Sequence, residues 1–154
     1  MMRILLTFIF LNLFALTYSQ INSENFGGQF GWSGPEEGDP WGELIIYPNS
    51  DTTFLFYLNS SRGNSDEIGI ITGQAIKYDY NKFEYINLEN NYRCKIIFEF
   101  KGEYYSVITQ KDFNKCTCKA INNLNENFMK ESNDIPDHYY IEDKIKYFKD
   151  MKIE

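Results

Sequence analysis

The sequence contains little of what most enzymes need. Its 154 residues include one histidine, His138, and no G-x-S-x-G nucleophile motif, phosphate-binding G-x-x-x-x-G-K-[ST] loop or dinucleotide-binding glycine pattern. A hydrolytic triad needs a nucleophile, a histidine base and an orienting acid, and the sequence offers His138 no such nucleophile motif. We therefore expect a protein without enzymatic activity, in which His138 is exposed or held by a structural hydrogen bond.

Basic residues are also scarce. The chain has 15 Lys and Arg against 22 Asp and Glu, a formal net charge of −7. Affinity for nucleic acid comes mainly from Lys and Arg that neutralise phosphates, so a nucleic-acid partner is not expected, nor is an anionic membrane surface. If electrostatics steers a partner, that partner is basic or carries a cation. Solubility alone also accounts for such a charge.

Carboxylates are plentiful, and four of them surround Trp41. An acid pair beside an aromatic residue is typical of a sugar-cleaving site, but acidic residues in a Gly/Pro loop are usually solvated turn residues. The oxygen-rich turns do not follow the spacing of an EF-hand calcium loop. The four carboxylates near Trp41 are Glu36, Glu37, Asp39 and Glu43. We expect no catalytic residues among them, and no metal or cofactor in the protein.

Only three cysteines are present, Cys94, Cys116 and Cys118. In an oxidising compartment a disulfide is the expected use of such residues, and a direct bridge between Cys116 and Cys118 would be strained. We expect Cys94 to pair with Cys116 or with Cys118, which closes a loop worth about 3 kcal/mol. A zinc site is the less favoured alternative, because three cysteines without a nearby histidine supply too few ligands.

The one long apolar run lies at the start of the chain. Arg3 precedes the 13 largely apolar residues Ile4–Leu16, and small residues, Thr17 and Ser19, stand at positions −3 and −1 of a cut before Gln20. This pattern is typical of a secretory signal peptide, and the run is too short to span a bilayer comfortably. We predict a signal peptide over residues 1–19 and a secreted or periplasmic domain over residues 20–154.

The remaining chain is rich in aromatic residues and in short segments of alternating polarity. The clearest alternation has Ile96, Phe98 and Phe100 between charged neighbours. Turn residues recur every 8–12 positions, and Gly73 is expected to bend or bulge its strand. This pattern predicts an all-β domain, a single antiparallel barrel or sandwich of about eight strands: Gln29–Trp32, Glu43–Tyr47, Thr53–Leu58, Ile68–Tyr78, Lys82–Ile86, Cys94–Lys101 and Tyr104–Thr109, with Cys116–Ile121 and Asn127–Met129 as shorter candidates.

The C-terminal region fits two patterns. Ile141, Ile145, Phe148 and Met151 have helical spacing, while Lys144–Tyr147 alternates like a strand. We predict a final strand at Lys144–Lys149, because a sheet needs its edge covered.

The leader, the many short strands, the expected disulfide and the segment Phe30-Gly31-Trp32 resemble small secreted β-barrels of the lipocalin-like, or calycin, type. The G-x-W signature of the first lipocalin strand has Phe30 in place of its glycine. The resemblance implies a non-catalytic binding protein that holds a small apolar ligand, or one that binds a protein at its rim.

Two sets of aromatic and aliphatic residues are candidates for these roles. Exposed aromatic residues anchor interfaces, so we expect rim contacts from Trp32, Trp41 and Tyr57. A ligand inside the barrel would contact residues that otherwise form plain core: Phe54, Phe56, Ile96, Phe98 and Phe100.

A second resemblance is to periplasmic lysozyme inhibitors, which are also small, exported β proteins clipped by disulfides. It implies a basic enzyme as the partner of this acidic chain.

Overall fold

The computed structural model describes residues 26–63, 68–87, 94–114, 121 and 124–153, which form an all-β protein. Eight antiparallel strands follow one another in sequence order, each paired with the next, and the last pairs with the first to close a barrel. The predicted fold class is therefore confirmed. The strands are β1 (Gly28–Ser33), β2 (Trp41–Pro48), β3 (Thr53–Ser61), β4 (Ile68–Asp79), β5 (Lys82–Asn87), β6 (Cys94–Phe100), β7 (Tyr104–Asn114) and β8 (Asn125–Ser132).

Most predicted strands differ from the observed ones only at their ends. The strand that begins at Tyr104 is longer than predicted, and the candidate at Asn127–Met129 extends in both directions into β8. The candidate at Cys116–Ile121 lies outside the described residues except for Ile121, which is in a turn.

Alternation of side chains along each strand separates the interior from the outer face. In β3, Phe54, Phe56 and Leu58 belong to the interior cluster, while Leu55 and Tyr57 belong to a second cluster on the outer face. Successive side chains of a strand point to opposite faces, and residues paired in register point to the same face. The residues of β2 and β4 that pair with the inward side chains of β3 therefore also face the interior.

Turn residues close the hairpins where the sequence predicted them. Gly102 has φ +86 between β6 and β7, a conformation that favours glycine, and the Lys101 N–H donates to the Tyr104 carbonyl over 2.9 Å. The expected irregularity of β4 is displaced: its register with β5 shifts between Lys77 and Asp79, not at Gly73.

The C-terminal segment forms a second layer outside the barrel. Strands β9 (His138–Ile141) and β10 (Lys144–Tyr147) pair with each other, and a 3-10 helix follows at Phe148–Asp150. The predicted strand is thus confirmed over Lys144–Tyr147 and wrong beyond it. The hairpin also lies over the outer faces of β2 and β3 and not along a strand edge of the barrel.

Candidate functional site

The predicted lining residues lie inside the barrel and pack against one another. Phe54, Phe56, Ile96 and Phe98 are at most 1% exposed. The ring centroids of Phe56 and Phe98 are 4.8 Å apart, and those of Phe54 and Phe98 are 5.4 Å apart. Phe100 is partly buried against the same cluster. These contacts favour the core role of the five residues over a lining role.

Side chains also fill the interior at both ends of the barrel. At one end the buried Tyr105 hydroxyl donates to the Phe26 carbonyl over 3.0 Å, and burial raises the pKa of Tyr105. At the other end Ile121 and Leu124 join the interior cluster. The Thr109 hydroxyl donates to the Ile121 carbonyl over 2.6 Å and holds that segment in place.

The barrel wall is incomplete between β4 and β5. Within the described strands, only three residue pairs are in register between β4 and β5: Ile76 with Glu84, Lys77 with Phe83, and Asp79 with Lys82. On its other edge β4 pairs with β3 along the whole stretch from residue 68 to residue 76. Residues 68–75 of β4 therefore have no register partner toward β5 within the described strands, and the two strands diverge.

A cleft of about 450 Å³ occupies this divergence, and we refer to it as the wall cleft. Both strands and the C-terminal tail contribute to its surface. Three of the isoleucines that line it are exposed. The polar residues that line it carry amide, hydroxyl and charged groups. The lining residues are Thr72, Gly73, Gln74, Ile76, Glu84, Tyr85, Ile86, Asn87, Lys152 and Ile153.

The floor of the cleft is built around Gly73 and Tyr85. A Cβ atom added to Gly73 would lie 2.4 Å from Cε2 of the Tyr85 ring, so only glycine allows the ring to lie there. The same ring packs edge-on against Phe56, with centroids 5.1 Å apart. Gly73 was recognisable in the sequence as a strand irregularity, but the cleft was not, because the divergence of two strands leaves no periodic signal.

One expected rim residue, Tyr57, is buried instead of exposed. It is 3% exposed on the outer face of β3, where the Tyr139 ring of the C-terminal hairpin stacks on it at 5.0 Å. Ile45, Leu55 and Phe148 belong to the same cluster. Desolvation raises the pKa of Tyr57. The prediction of exposure was wrong because the hairpin, which covers this face, was not anticipated.

The two tryptophans are half-buried, not fully exposed. Trp32 packs edge-on against Phe128 with centroids 6.3 Å apart, and its indole N–H is buried without a hydrogen-bond partner in the described part of the chain. Trp41 begins β2 and pairs in register with Ser33 and Ser61. Both therefore lie at the end of the barrel where β1 passes into β2.

The acidic residues near Trp41 separate into two places. Glu36 and Glu37 are exposed in the loop between β1 and β2, where the Glu36 N–H donates to the Asp39 carboxylate over 2.9 Å. Glu43 lies instead on the outer face of β2, in register with Asn59. Burial raises the pKa of Glu43, and the nearby Glu131 carboxylate raises it further.

His138 and the cysteines are placed as follows. The Nδ1 atom of His138 lies 2.8 Å from the Asp137 carboxylate, which agrees with the expected structural hydrogen bond.

Cys94 is buried at the start of β6. Cys116 and Cys118 lie outside the described residues, as does the predicted signal peptide.

The described residues contain neither a candidate metal cluster nor a candidate membrane-spanning helix. No cluster of three or more His, Cys, Asp or Glu side chains that could hold a metal ion occurs in them. They also contain no helix with the length and apolar character needed to cross a membrane.

Comparisons of the chain with protein-family models, with curated proteins and with solved structures found no match. The fold therefore defines a class by its geometry alone: an eight-stranded, sequentially ordered antiparallel barrel, consistent with the lipocalin-like type.

Proposed function

We propose that this protein is an exported, non-catalytic, lipocalin-like binding protein whose ligand occupies the wall cleft. The observation that carries the proposal is the contrast between the two candidate places for a ligand. Aromatic side chains pack closely throughout the barrel interior, whereas the wall cleft offers about 450 Å³. Small-molecule sites are concave and commonly have volumes of about 300–1,000 Å³.

The chemistry of the cleft favours a small, mainly apolar molecule with one polar end. Ile76, Ile86 and Ile153 are 55%, 44% and 54% exposed and provide apolar contact area. Gln74 and Lys152 provide hydrogen-bond donors beside them. Such a mixture of apolar walls and a few polar groups fixes both the affinity and the orientation of a ligand.

Calorimetric titration with decanoate tests the proposal, because this probe has an apolar chain and a polar end. The Ile153→Glu variant places a charge in the cleft and is expected to weaken binding at least tenfold. Ile145→Glu is the matched control, since Ile145 is 50% exposed on β10 and does not line the cleft. Equal affinity of both variants and the wild type, or no binding of decanoate by any of them, would contradict the proposal.

A basic protein partner is the second candidate, and the loop between β1 and β2 favours it. Its exposed glutamates, Glu36 and Glu37, lie at the barrel end that also carries Trp41, so charge and aromatic area are adjacent. A lysozyme assay with the double variant Glu36→Lys, Glu37→Lys tests this reading against Glu126→Lys, an exposed residue of β8. Inhibition that is lost only in the double variant supports it, and no inhibition by the wild type at equimolar concentration rejects it.

The proposed export predicts two covalent features that mass spectrometry detects. Secreted protein is expected to begin at Gln20 and to contain a bridge from Cys94 to Cys116 or Cys118. Peptide mapping without reduction identifies the cysteine pair. A secreted product that retains residues 1–19, or that carries three free thiols, would contradict this part of the proposal.

A further inference from the structure

The outer faces of β4–β7 carry a row of isoleucines. Ile76 pairs in register with Glu84, Glu84 with Ile97, and Ile97 with Ile108. Three isoleucines and one glutamate therefore form a single line across the four strands. Ile86, two residues beyond Glu84, faces the same side. We refer to Ile76, Ile86, Ile97 and Ile108 as the isoleucine patch.

The isoleucine patch surrounds one ion pair. The Lys95 ammonium lies 2.8 Å from the Glu84 carboxylate, and the two side chains are 20% and 29% exposed. Ile86 pairs in register with Lys95, and Ile97 with Glu84. The patch therefore has an apolar perimeter and a centre that holds one cation and one anion, with no net charge.

This face differs from the outer face of β2 and β3. There the C-terminal hairpin covers Ile45, Leu55 and Tyr57, each at most 5% exposed. In the isoleucine patch Ile76, Ile86 and Ile108 are 55%, 44% and 36% exposed within the described structure. An exposed group of large apolar residues on a soluble protein commonly marks an interaction surface.

The charge arrangement of the isoleucine patch favours a second copy of this chain as the partner. In a two-fold symmetric interface the same patch meets itself, so it must be complementary to itself. A patch with one cation beside one anion satisfies this condition, because Lys95 of each copy can face Glu84 of the other. We infer that the protein forms a two-fold symmetric dimer through the isoleucine patch, where the paired charges cancel although the full sequence has a formal net charge of −7.

Charge exchange tests this geometry directly. In a symmetric dimer Glu84→Lys places two lysines of one copy opposite two lysines of the other, and Lys95→Glu does the same with glutamates. Each variant alone is expected to dimerise at least tenfold more weakly than the wild type, because like charges meet at the centre. A mixture of the two variants is expected to form a heterodimer, and the double variant Glu84→Lys, Lys95→Glu is expected to dimerise again.

Analytical ultracentrifugation at physiological salt measures all four samples, with circular dichroism to verify that each variant is folded. Ile108→Asp, inside the patch but outside the wall cleft, is expected to give monomers. Ile145→Asp on the hairpin is the control and is expected to remain dimeric. A monomeric wild type, or a dimer indifferent to the charge variants, would overturn the inference.

The dimer and the proposed ligand site overlap, so decanoate and a second copy of the chain are expected to compete, and each surface is tested at a residue that the other does not use. Ile76, Glu84 and Ile86 belong to both surfaces, whereas Ile108 belongs only to the patch and Ile153 only to the cleft. Loss of the dimer in Ile108→Asp is therefore read by sedimentation, independently of decanoate binding in Ile153→Glu.

Discussion

The ring of Tyr85 occupies the space that a side chain at residue 73 would need. The ring approaches the position of a Cβ on Gly73 to 2.4 Å and packs edge-on against Phe56. Where β4 and β5 diverge, the interior is thus closed by an aromatic ring and not by a ladder of backbone hydrogen bonds. This relationship permits a cleft in the wall of a barrel whose interior remains packed.

Gly73→Ala is expected to lower the free energy of unfolding by about 1–3 kcal/mol, because the added methyl displaces the Tyr85 ring from a packed position. Tyr85→Ala is expected to lower it as well, by removing the ring from Phe56. In the double variant the two losses should not add, since the methyl no longer meets a ring. Strict additivity in urea denaturation would show that the two residues do not interact.

Phe98→Ala is expected to lower the free energy of unfolding by about 3–5 kcal/mol, since Phe98 is fully buried and contacts Phe54 and Phe56. Ile145→Ala, at an exposed position of β10, is the control and should change it by less than about 0.5 kcal/mol. Comparable midpoints of denaturation for the two variants would show that the interior is loosely packed or hollow.

Glu43→Gln is expected to stabilise the protein at pH 7. The pKa of Glu43 is raised above its ordinary value of 4.5 by burial and by Glu131. The folded state therefore binds a proton more readily than the unfolded chain, and its stability falls as pH rises from 4.5 through the folded-state pKa. The gain from the substitution should be full at pH 7 and absent below pH 4.5.

Denaturation midpoints measured between pH 3.5 and 8 check this sign. Glu126→Gln, which removes an exposed carboxylate from β8, is the control and should show no such pH-dependent gain. A stabilisation by Glu43→Gln that is larger at pH 4 than at pH 7 would contradict the assignment.

Asp143→Gly is expected to raise the free energy of unfolding of the C-terminal hairpin. Glu142 and Asp143 form the two-residue turn between β9 and β10 with φ angles of 48° and 59°, a conformation that favours glycine. Relief of the left-handed strain is worth about 1 kcal/mol. Protection of the Tyr139 and Lys146 amides in hydrogen exchange measures it, with Asp134→Gly as the control outside the turn. Unchanged or lower protection would show that Asp143 is not strained.

The antiparallel all-β architecture was predicted well from the sequence, because alternation decides both the position of a strand and which of its faces is buried. Phe54, Phe56 and Phe98 were correctly grouped on inward faces, since period-two patterns record which side of a strand is buried. Closure of β1 on β8 was not decided by the sequence, which left a barrel and a sandwich open, because strand patterns do not show whether the first and last strands pair.

The outer surface was predicted less well. Tyr57 was expected to be exposed, because nothing in its own strand indicates that Tyr139, more than 80 residues later, covers it. Phe148 carried an apolar signal that helical and strand periodicities shared, so the 3-10 helix was missed. The wall cleft depends on where two strands part, which is a property of twist and packing and not of a single segment.

Methyl NMR of isoleucine-labelled protein during titration with decanoate locates the ligand directly. If the ligand occupies the wall cleft, the δ1 methyl signals of Ile76, Ile86 and Ile153 shift with increasing ligand, while those of Ile46 and Ile96 in the interior stay fixed. Shifts centred on Ile46 and Ile96 would show instead that the ligand enters the barrel, and would rule out the wall cleft as its site.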